Sequence, residues 1–266
     1  MAVQIHPTAI IDPGARLGVD VNIGPYCIVG PRVTLGDRVV LRAHVVLDGQ
    51  TSIGADTVVH PFASIGGQPQ DLKYHGEESS LDIGTHNTIR EYVTMHPGTE
   101  GGNRVTRVGS HSLFMVGVHI AHDCTVGDHV VMANQATLAG HVSIGDHAII
   151  GGLSAVHQFV RIGSYAIIGG MSGVESDVIP FGRVKGERAF LAGLNLIGLE
   201  RNGFNKDQIK VLQRAFNQMF GDEGTMEQRL ETVAGDFAND PLVTQIVDFA
   251  RAKTKFPLCQ PQKKAA

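Results

Sequence analysis

An aliphatic residue recurs at every sixth position over most of this chain, and this period constrains the fold more than any other feature. It runs unbroken from Ile5 to Ile65, resumes in the same phase from Ile83 to Met95, and continues in a shifted phase from Val108 to Val174. The fifth residue of the hexads is nearly always small or β-branched, so two residues in six should point inward. Such hexads predict an all-β solenoid, a parallel β-helix in which three hexads make one triangular coil. Each coil should rise by roughly 4.8 Å, the spacing of paired strands.

Glycine is frequent at the second position of the hexads. Because glycine tolerates a positive φ, we expect these residues to turn the corners of the prism. They are Gly18, Gly24, Gly30, Gly36, Gly54, Gly84, Gly127, Gly145 and Gly163. A β-sandwich would show simple alternation with irregular turns, so the regular period argues against that fold.

Two segments interrupt the period. The polar stretch 68–80 breaks it without changing its phase, which predicts a loop that leaves one corner of the prism. The Gly-rich stretch 98–107 shifts the phase, which predicts a second and shorter excursion.

Helix signals replace the period near the end of the chain. Asn205 and Thr225 each stand three residues before a glutamine, as in a capping box, and Asp240 precedes a proline. We therefore divide the chain into a β-helix domain, residues 1–185, and a helical domain, residues 186–266. The helical domain should cap the last coil, whose strand edges would otherwise lack partners.

Charge and composition exclude several classes of partner and site. The formal charge is −4 at pH 7 and the pI about 6.3, which argues against nucleic acid. No apolar run approaches the roughly 18 residues of a membrane span, and the first residues lack a signal-peptide layout, so we expect a cytoplasmic protein. Cys27, Cys124 and Cys259 are widely spaced, which argues against disulfides and structural zinc.

Four histidines are expected to share one strip of the prism surface. His122, His141 and His157 belong to hexads that lie three hexads apart, and His119 precedes the same corner. We expect the first three imidazoles to stack along one face in successive coils. The fourth-position histidines are interpreted as ordinary surface residues; they are His44, His86, His111, His129 and His147.

The histidine strip is compatible with two chemistries. An imidazole of near-neutral pKa can take a proton from a hydroxyl that attacks a carbonyl, as acyl transfer requires. Three histidines could also hold zinc, as in a metal-dependent hydratase of the carbonic anhydrase kind on the same solenoid. A solenoid that binds a partner without catalysis is the remaining alternative.

Three stretches resemble a known enzyme family. They are QDLKYHGE at 70–77, HIAHDCTVGDHVVMANQATLAGHVSIGDHAIIGGLSAVHQF at 119–159 and GLERNGF at 198–204. They resemble UDP-N-acetylglucosamine O-acyltransferases, the first enzymes of lipid A biosynthesis, and the resemblance spans nearly the whole chain. It implies a left-handed β-helix and a homotrimer with the site between neighbouring prisms. It also implies transfer of a 3-hydroxyacyl chain from acyl carrier protein to the sugar 3-hydroxyl of UDP-N-acetylglucosamine, with no cofactor and no metal.

The resemblance also implies roles for individual residues. His122 matches the general base, Asp123 the residue that orients it, and the amide of Gly140 the oxyanion donor. Residues that match contacts to the sugar, its phosphates or the acyl donor are Asp71, Lys73, His119 and His141. Residues that match positions near the nucleotide, the diphosphate or the bound acyl product are His157, Gln158, Asn195 and Arg201.

Gly170 matches the floor of an acyl groove, where a glycine leaves room for a long chain. One departure from the family lies at Glu187 and Arg188, where better-known members carry an Asn-His pair. Cys124 stands beside the expected base but at an inward position, so we interpret it as a core residue rather than a nucleophile. The sequence leaves open whether the acceptor carries oxygen or nitrogen at carbon 3.

Overall fold

Short strands separated by four-residue corners follow the hexad period, as seen in a computed structural model that describes residues 3–262. The strands before the first interruption are β1 (Gln4–Ile5), β2 (Ile10–Ile11), β3 (Arg16–Leu17), β4 (Asn22–Ile23), β5 (Ile28–Val29), β6 (Thr34–Leu35), β7 (Val40–Leu41), β8 (Val46–Leu47), β9 (Gln50–Ile53), β10 (Val58–Val59) and β11 (Ser64–Ile65). Those between the interruptions are β12 (Ser80–Ile83), β13 (Thr88–Ile89) and β14 (Thr94–Met95).

The same arrangement continues to the end of the prism. The later strands are β15 (Val105–Val108), β16 (Leu113–Phe114), β17 (His119–Ile120), β18 (Thr125–Val126), β19 (Val131–Met132), β20 (Thr137–Leu138), β21 (Ser143–Ile144), β22 (Ile149–Ile150), β23 (Ala155–Val156), β24 (Arg161–Ile162), β25 (Ile167–Ile168), β26 (Gly173–Val174), β27 (Gly182–Lys185) and β28 (Phe190–Leu194).

The strands form three parallel faces because, as far as β26, each pairs with the strand three places further along the chain. Face A begins β1, β4, β7; face B begins β2, β5, β8; and face C begins β3, β6, β9. In the uninterrupted coils the register advances by three hexads, as in the pairing of Ile10 with Ile28. The predicted triangular coil is therefore confirmed, and the fold is a left-handed parallel β-helix. We name the corners A–B, B–C and C–A after the faces that they join.

The core lies inside the prism and consists of the first and fifth residues of the hexads. Within one coil, Val21, Ile23, Cys27 and Val29 are all at most 2% exposed. Fully burying an aliphatic side chain stabilises a fold by about 1.5–3 kcal/mol, so a repeated inward pair specifies the coil without large aromatic residues. The predicted inward positions are confirmed.

The expectation that second-position glycines adopt positive φ is wrong. Positive φ occurs instead at the fourth position, as at Asp123 (59°) and His141 (63°), and none of the nine second-position glycines has it. At these nine positions glycine is favoured because the next coil lies close to where a side chain would begin. A Cβ on Gly24, for example, would lie 2.9 Å from the carbonyl carbon of Arg42.

The fourth-position side chains stack from coil to coil along the corners. On the A–B corner a column of rings contains Tyr26, His44, Phe62 and Tyr92. On the C–A corner a longer column contains His86, His111, His129, His147, Tyr165 and Phe181. The five histidines expected at the surface therefore also contact their neighbours in the stack.

The part of the chain that follows β26 packs against the end of the prism. Strand β27 continues face A, and β28 pairs with it in antiparallel fashion. The helices follow as α1 (Leu196–Arg201), α2 (Lys206–Met219), α3 (Met226–Asp236) and α4 (Pro241–Arg251). The three predicted N-caps at Asn205, Thr225 and Asp240 are confirmed, whereas α1 and the β27–β28 hairpin were not predicted. The division at residues 185 and 186 remains a prediction.

The chain after α4 returns to the prism as a C-terminal segment, residues 252–262. Its backbone pairs with Asp177, which donates its N–H to Pro257 and accepts from Cys259 N. Across residues 3–262, no helix is both long and apolar enough to cross a membrane.

Candidate active site

The predicted catalytic residues lie on the B–C corner, beneath both interruptions of the hexad period. His122 and Asp123 follow β17, and Gly140 and His141 follow β20 one coil later. The two loops leave the same corner in preceding coils, since one follows β11 and the other follows β14. Loops that break an otherwise regular solenoid are thus concentrated over a single edge.

His122 and Asp123 form a hydrogen-bonded pair. The Nδ1 of His122 lies 2.9 Å from Asp123 Oδ2, and because the carboxylate accepts, Nδ1 carries the proton. In the neutral ring Nε2 is then an unprotonated acceptor, the form that a general base requires. The side chain of His122 is 13% exposed and that of Asp123 is fully buried.

The second loop fixes the carboxylate of Asp123. Thr99 donates to it from its N–H and from Oγ1, the latter at 2.7 Å, and Asn103 N donates at 3.0 Å. Burial tends to raise the pKa of Asp123, but the hydrogen bonds from His122 and Thr99 outweigh it and lower this pKa. Asp123 is therefore an anion that holds the imidazole in one orientation. The sequence did not predict Thr99 or Asn103, because they lie where the period is lost.

Two glycines leave room for this pair. A Cβ on Gly102 would lie 2.2 Å from the Asp123 carboxyl carbon, and a Cβ on Gly140 would lie 2.6 Å from His122 Nε2. The N–H of Gly140 donates to no acceptor within residues 3–262. Gly140 thus packs against the His122 ring, and its free N–H is a candidate donor to an oxyanion formed there.

His141 packs against the edge of His122. The ring centroids are 5.0 Å apart with planes at 88°, and the other face of His141 stacks on Phe159 at 4.3 Å. Burial lowers the pKa of His141, and the nearby His122 and Lys255 lower it further, whereas Asp123 and Asp71 oppose them. The ring is thus held in its neutral form.

The first loop brings Asp71 to the opposite side of His122. Its Oδ2 lies 3.9 Å from His122 Nε2, and its Oδ1 accepts from the backbone N–H of Lys73. The Lys73 side chain is exposed. A substrate hydroxyl that approaches Nε2 would therefore meet the carboxylate of Asp71.

His119 contacts a histidine that sequence reasoning missed. Its Nδ1 bonds Thr94 Oγ1 at 2.8 Å, and its ring meets the edge of His96 at 5.4 Å. Burial, together with His96 and His122, lowers the pKa of His119 to about 4. His96 is 9% exposed and donates from Nδ1 to the carbonyl of Gly67, where the first loop begins. Counting coils through the loop would have placed His96 on this corner.

The expected stack of three imidazoles is wrong at its third member. Phe159, not His157, lies against His141, because only fourth-position side chains stack along a corner. His157 occupies the second position, is exposed, and meets the edge of Phe256 from the C-terminal segment at 5.3 Å. Gln158 beside it is also exposed.

Three of the predicted binding residues lie away from this corner. Gly170 is exposed on the A–B corner. Asn195 is buried, caps α1 and donates to the carbonyl of Tyr165 on the C–A corner. Arg201 is exposed at the end of α1. A single chain therefore does not bring all the predicted residues together.

Glu187 and Arg188, where the chain departs from the family pattern, lie between β27 and β28. Arg188 forms an exposed ion pair with Glu175, so the arginine has a partner within the chain. Glu187 is exposed as well.

Cys124 is a core residue, as expected. It is fully buried, donates to the carbonyl of Ala139, and burial raises the pKa of its thiol to about 12. A thiol in this state is a poor nucleophile.

The side chains of His122, Asp123 and His141 are close enough together to hold a metal ion. However, His122 Nδ1 and both oxygens of Asp123 already take part in hydrogen bonds. Only imidazole nitrogens would remain as free ligands, so the group is better suited to proton transfer than to metal binding.

Comparison with known proteins identifies the family. Residues 177–258 match the profile described as UDP-N-acetylglucosamine O-acyltransferase, domain 2, and residues 16–49 match the bacterial transferase hexapeptide repeat. Proteins from Caulobacter vibrioides and Rickettsia prowazekii, both named acyl-[acyl-carrier-protein]--UDP-N-acetylglucosamine O-acyltransferase, are each 54% identical to 98% of this chain, covering 99% and 98% of their own lengths. The chain belongs to the UDP-N-acetylglucosamine O-acyltransferase family.

Solved structures of this acyltransferase family have the same fold. The enzyme from Moraxella catarrhalis matches with a TM-score of 0.93 and 43% identity, over 98% of this chain and 100% of the other. The enzyme from Francisella novicida matches with a TM-score of 0.94 and 32% identity, over 97% and 94%. Membership of an acyltransferase family favours acyl transfer over the hydratase and over the non-catalytic solenoid.

Proposed function

We propose that this protein transfers a 3-hydroxyacyl chain from acyl carrier protein to the 3-hydroxyl of UDP-N-acetylglucosamine, the first step of lipid A biosynthesis. The observation that carries the proposal is the free Nε2 of His122, oriented by buried Asp123 and adjacent to the free N–H of Gly140. The names of the relatives at 54% identity supply the two substrates. We further propose that the reaction takes place in the cytoplasm, as the sequence leads us to expect.

The proposed mechanism is direct attack with general-base catalysis. His122 Nε2 removes the proton of the sugar 3-hydroxyl as its oxygen attacks the thioester carbonyl. The N–H of Gly140 stabilises the oxyanion of the tetrahedral intermediate. When the intermediate collapses, the C–S bond breaks and the imidazolium returns its proton to the thiolate that leaves. The buried Cys124 thiol takes no part, so no acyl-enzyme forms.

The remaining residues of the B–C corner would bind the substrates. Asp71 and His141 lie beside the His122 ring and would orient the sugar, while exposed Lys73 would meet its phosphates. Half-buried His119 lies three residues before the proposed base, His122, and would contact the acyl donor or the sugar. Exposed His157 and Gln158 lie two coils beyond His122, towards the proposed nucleotide end.

We further propose a homotrimer. Its support is that the predicted site residues are distributed over the three corners of one prism, so only neighbouring copies could assemble them. The A–B corner, which carries Gly170, also exposes the rings of Tyr26 (57%), Phe62 (48%) and Tyr92 (59%). Rings stacked in a continuous column are a suitable surface for a second copy of the chain.

An acyl-transfer assay with two acceptors tests the proposed function. Purified protein is given one 3-hydroxyacyl acyl carrier protein and either UDP-N-acetylglucosamine or its 3-amino analogue. We expect an ester product from the first acceptor and little product from the second. Preference for the amino sugar would contradict the O-acyltransferase assignment, and loss of activity after removal of metal ions by a chelator would favour the metal-dependent alternative.

A further inference from the structure

The C-terminal segment reaches the catalytic corner from the side opposite to the two loops. The Nζ of Lys255 lies 3.2 Å from the centre of the Phe159 ring. The opposite face of Phe159 stacks on His141 with the planes only 5° apart, and His141 contacts His122. A continuous column thus joins a lysine near the end of the chain to the proposed base.

A buried anchor holds Lys255 in this place. Asp177 is fully buried and accepts a hydrogen bond from Thr254 Oγ1 at 2.9 Å, immediately before Lys255 in the chain. The same carboxylate pairs with Arg161 at 2.8 Å, and the backbone of Asp177 bonds Pro257 and Cys259, both of which follow Lys255. On the other side of Lys255, the Phe256 ring packs on His157. The lysine is therefore flanked by two fixed residues.

Four charged or titratable groups face His141. Asp123 and His122 lie in the preceding coil, Asp71 in the first loop, and Lys255 in the C-terminal segment. The two carboxylates favour a protonated His141, whereas His122 and Lys255 disfavour it. Lys255 is thus a cation outside the catalytic coils whose charge offsets the effect of the two carboxylates on the pKa of His141.

The charge on His141 matters for the proposed reaction. His122 must become an imidazolium when it takes the proton of the acceptor, and a second imidazolium with its centroid 5.0 Å away would disfavour that step. A neutral His141 avoids this repulsion. It also leaves one ring nitrogen free to accept a hydrogen bond.

We propose that Lys255 is a positioning residue of this site, which acts through Phe159 to keep the His141 imidazole uncharged and packed against His122. The proposal rests on the acyl transfer proposed above. This role belongs to a segment that lies more than a hundred residues from His141 in sequence. The segment lies outside the hexapeptide repeats. Lys255 acts through other side chains and does not itself contact the reacting atoms.

The test compares Lys255→Met with two controls. Lys255→Arg keeps the charge over the ring, and Lys253→Met removes the same charge from an exposed position two residues earlier in the same segment. NMR titration of the His141 ring, assigned with a His141→Asn variant, is measured in the substrate-free protein. In parallel, kcat and KM are measured from pH 5.5 to 9.

We expect Lys255→Met to raise the pKa of His141 by about half a unit or more, since a nearby cation is lost. The acid limb of the kcat profile should move upward in pH by a similar amount, so that kcat falls below the wild-type value at acid pH and stays close to it above neutral pH, with little change in KM. Both controls should behave like the wild type. Phe159→Leu, which removes the intervening ring, should also slow kcat.

Two results would overturn the proposal. One is an unchanged His141 titration in Lys255→Met. The other is a raised KM for the sugar nucleotide with an unchanged kcat, which would make Lys255 a direct ligand of the substrate phosphates. The NMR measurement needs no substrate, so failure of the proposed reaction would be distinguished from failure of the Lys255 contact.

Discussion

Gly102 lies so close to Asp123 that no side chain fits between them. A Cβ at Gly102 would lie 2.2 Å from the Asp123 carboxyl carbon and 2.3 Å from Oδ1. The second loop therefore closes over the carboxylate, and its backbone supplies the hydrogen bonds that hold Asp123 against His122. The orientation of the proposed base depends on a loop that departs from the hexad pattern.

The first prediction follows from this contact. Gly102→Ala should push the loop away from Asp123, weaken its hydrogen bonds and lower kcat by roughly 10-fold to 100-fold, as for loss of orientation in a catalytic pair. Gly101→Ala is the matched control, because a Cβ there would meet only Thr99 Oγ1 at 3.9 Å. Steady-state kinetics and circular dichroism would be measured for both variants. Equal activity of the two would show that loop closure does not orient Asp123.

The second prediction concerns the base itself. His122→Ala should fold, because the residue faces outward at a corner, and turnover should fall by roughly 10²–10⁴, the range for loss of a general base. Cys124→Ala is the neighbouring control and should retain most of the activity, since its thiol pKa is raised to about 12. Turnover of His122→Ala near the wild-type rate would contradict the mechanism, as would a collapse of activity in the Cys124 variant.

The third prediction is that acid destabilises the fold through its buried histidines. The pKa of His119 is lowered from 6.5 to about 4, so the unfolded chain takes up a proton before the folded chain does. Stability from this group is present above about pH 6.5 and is lost as the pH falls towards 4. Burial also lowers the pKa of His141 and His147, which adds to the same trend.

Urea unfolding at pH 7 and pH 5 would measure this effect. The free energy of unfolding should decrease between the two pH values in the wild type and decrease less in His119→Gln. The carboxylate of Asp123 titrates below its usual 3.8, outside this window. An equal decrease in both proteins would exclude His119 as a source of acid sensitivity.

The fourth prediction separates binding from chemistry. Arg201→Ala and Gln158→Ala should raise the KM for the sugar nucleotide more than they lower kcat, because loss of uniform binding has this kinetic signature. Both side chains are exposed, so the variants should fold normally. A collapse of kcat at unchanged KM would place these residues at the reacting centre instead.

The fifth prediction is that Gly170 sets the length of the acyl donor. A Cβ at Gly170 would meet only the carbonyl of Gly152 at 3.3 Å and its amide nitrogen at 3.9 Å, so the outward side of this residue is open. We expect a long donor of about 14 carbons in the wild type and about 10 in Gly170→Met, since each buried methylene contributes about 0.8 kcal/mol. Competition between donors of different length would measure the preference. An unchanged preference in the variant would reject this role.

The sequence by itself determined the prism, the inward pairs of residues and the helix N-caps. These features are local or periodic, because a side chain in a phase-locked hexad has a direction that depends only on its position. The same reasoning placed His122 and His141 on one corner and assigned Cys124 to the core. It assigned the positive φ angles to the wrong position of the hexad. Glycine is favoured both where coils stack closely and where a corner needs a positive φ, and a sequence does not show which of the two reasons applies.

Only the tertiary structure decided how the catalytic corner is completed. Thr99 and Gly102 lie in a loop without a period, so the hexad pattern does not predict which coil they fold against, and Asp71 was assigned to the site only through the family resemblance. His157 was expected in the histidine stack, but its second-position side chain turns towards Phe256. Lys255 reaches Phe159 because a buried ion pair at Asp177 draws the C-terminal segment back across the prism. Contacts between segments far apart in sequence depend on such packing, which a residue pattern does not encode.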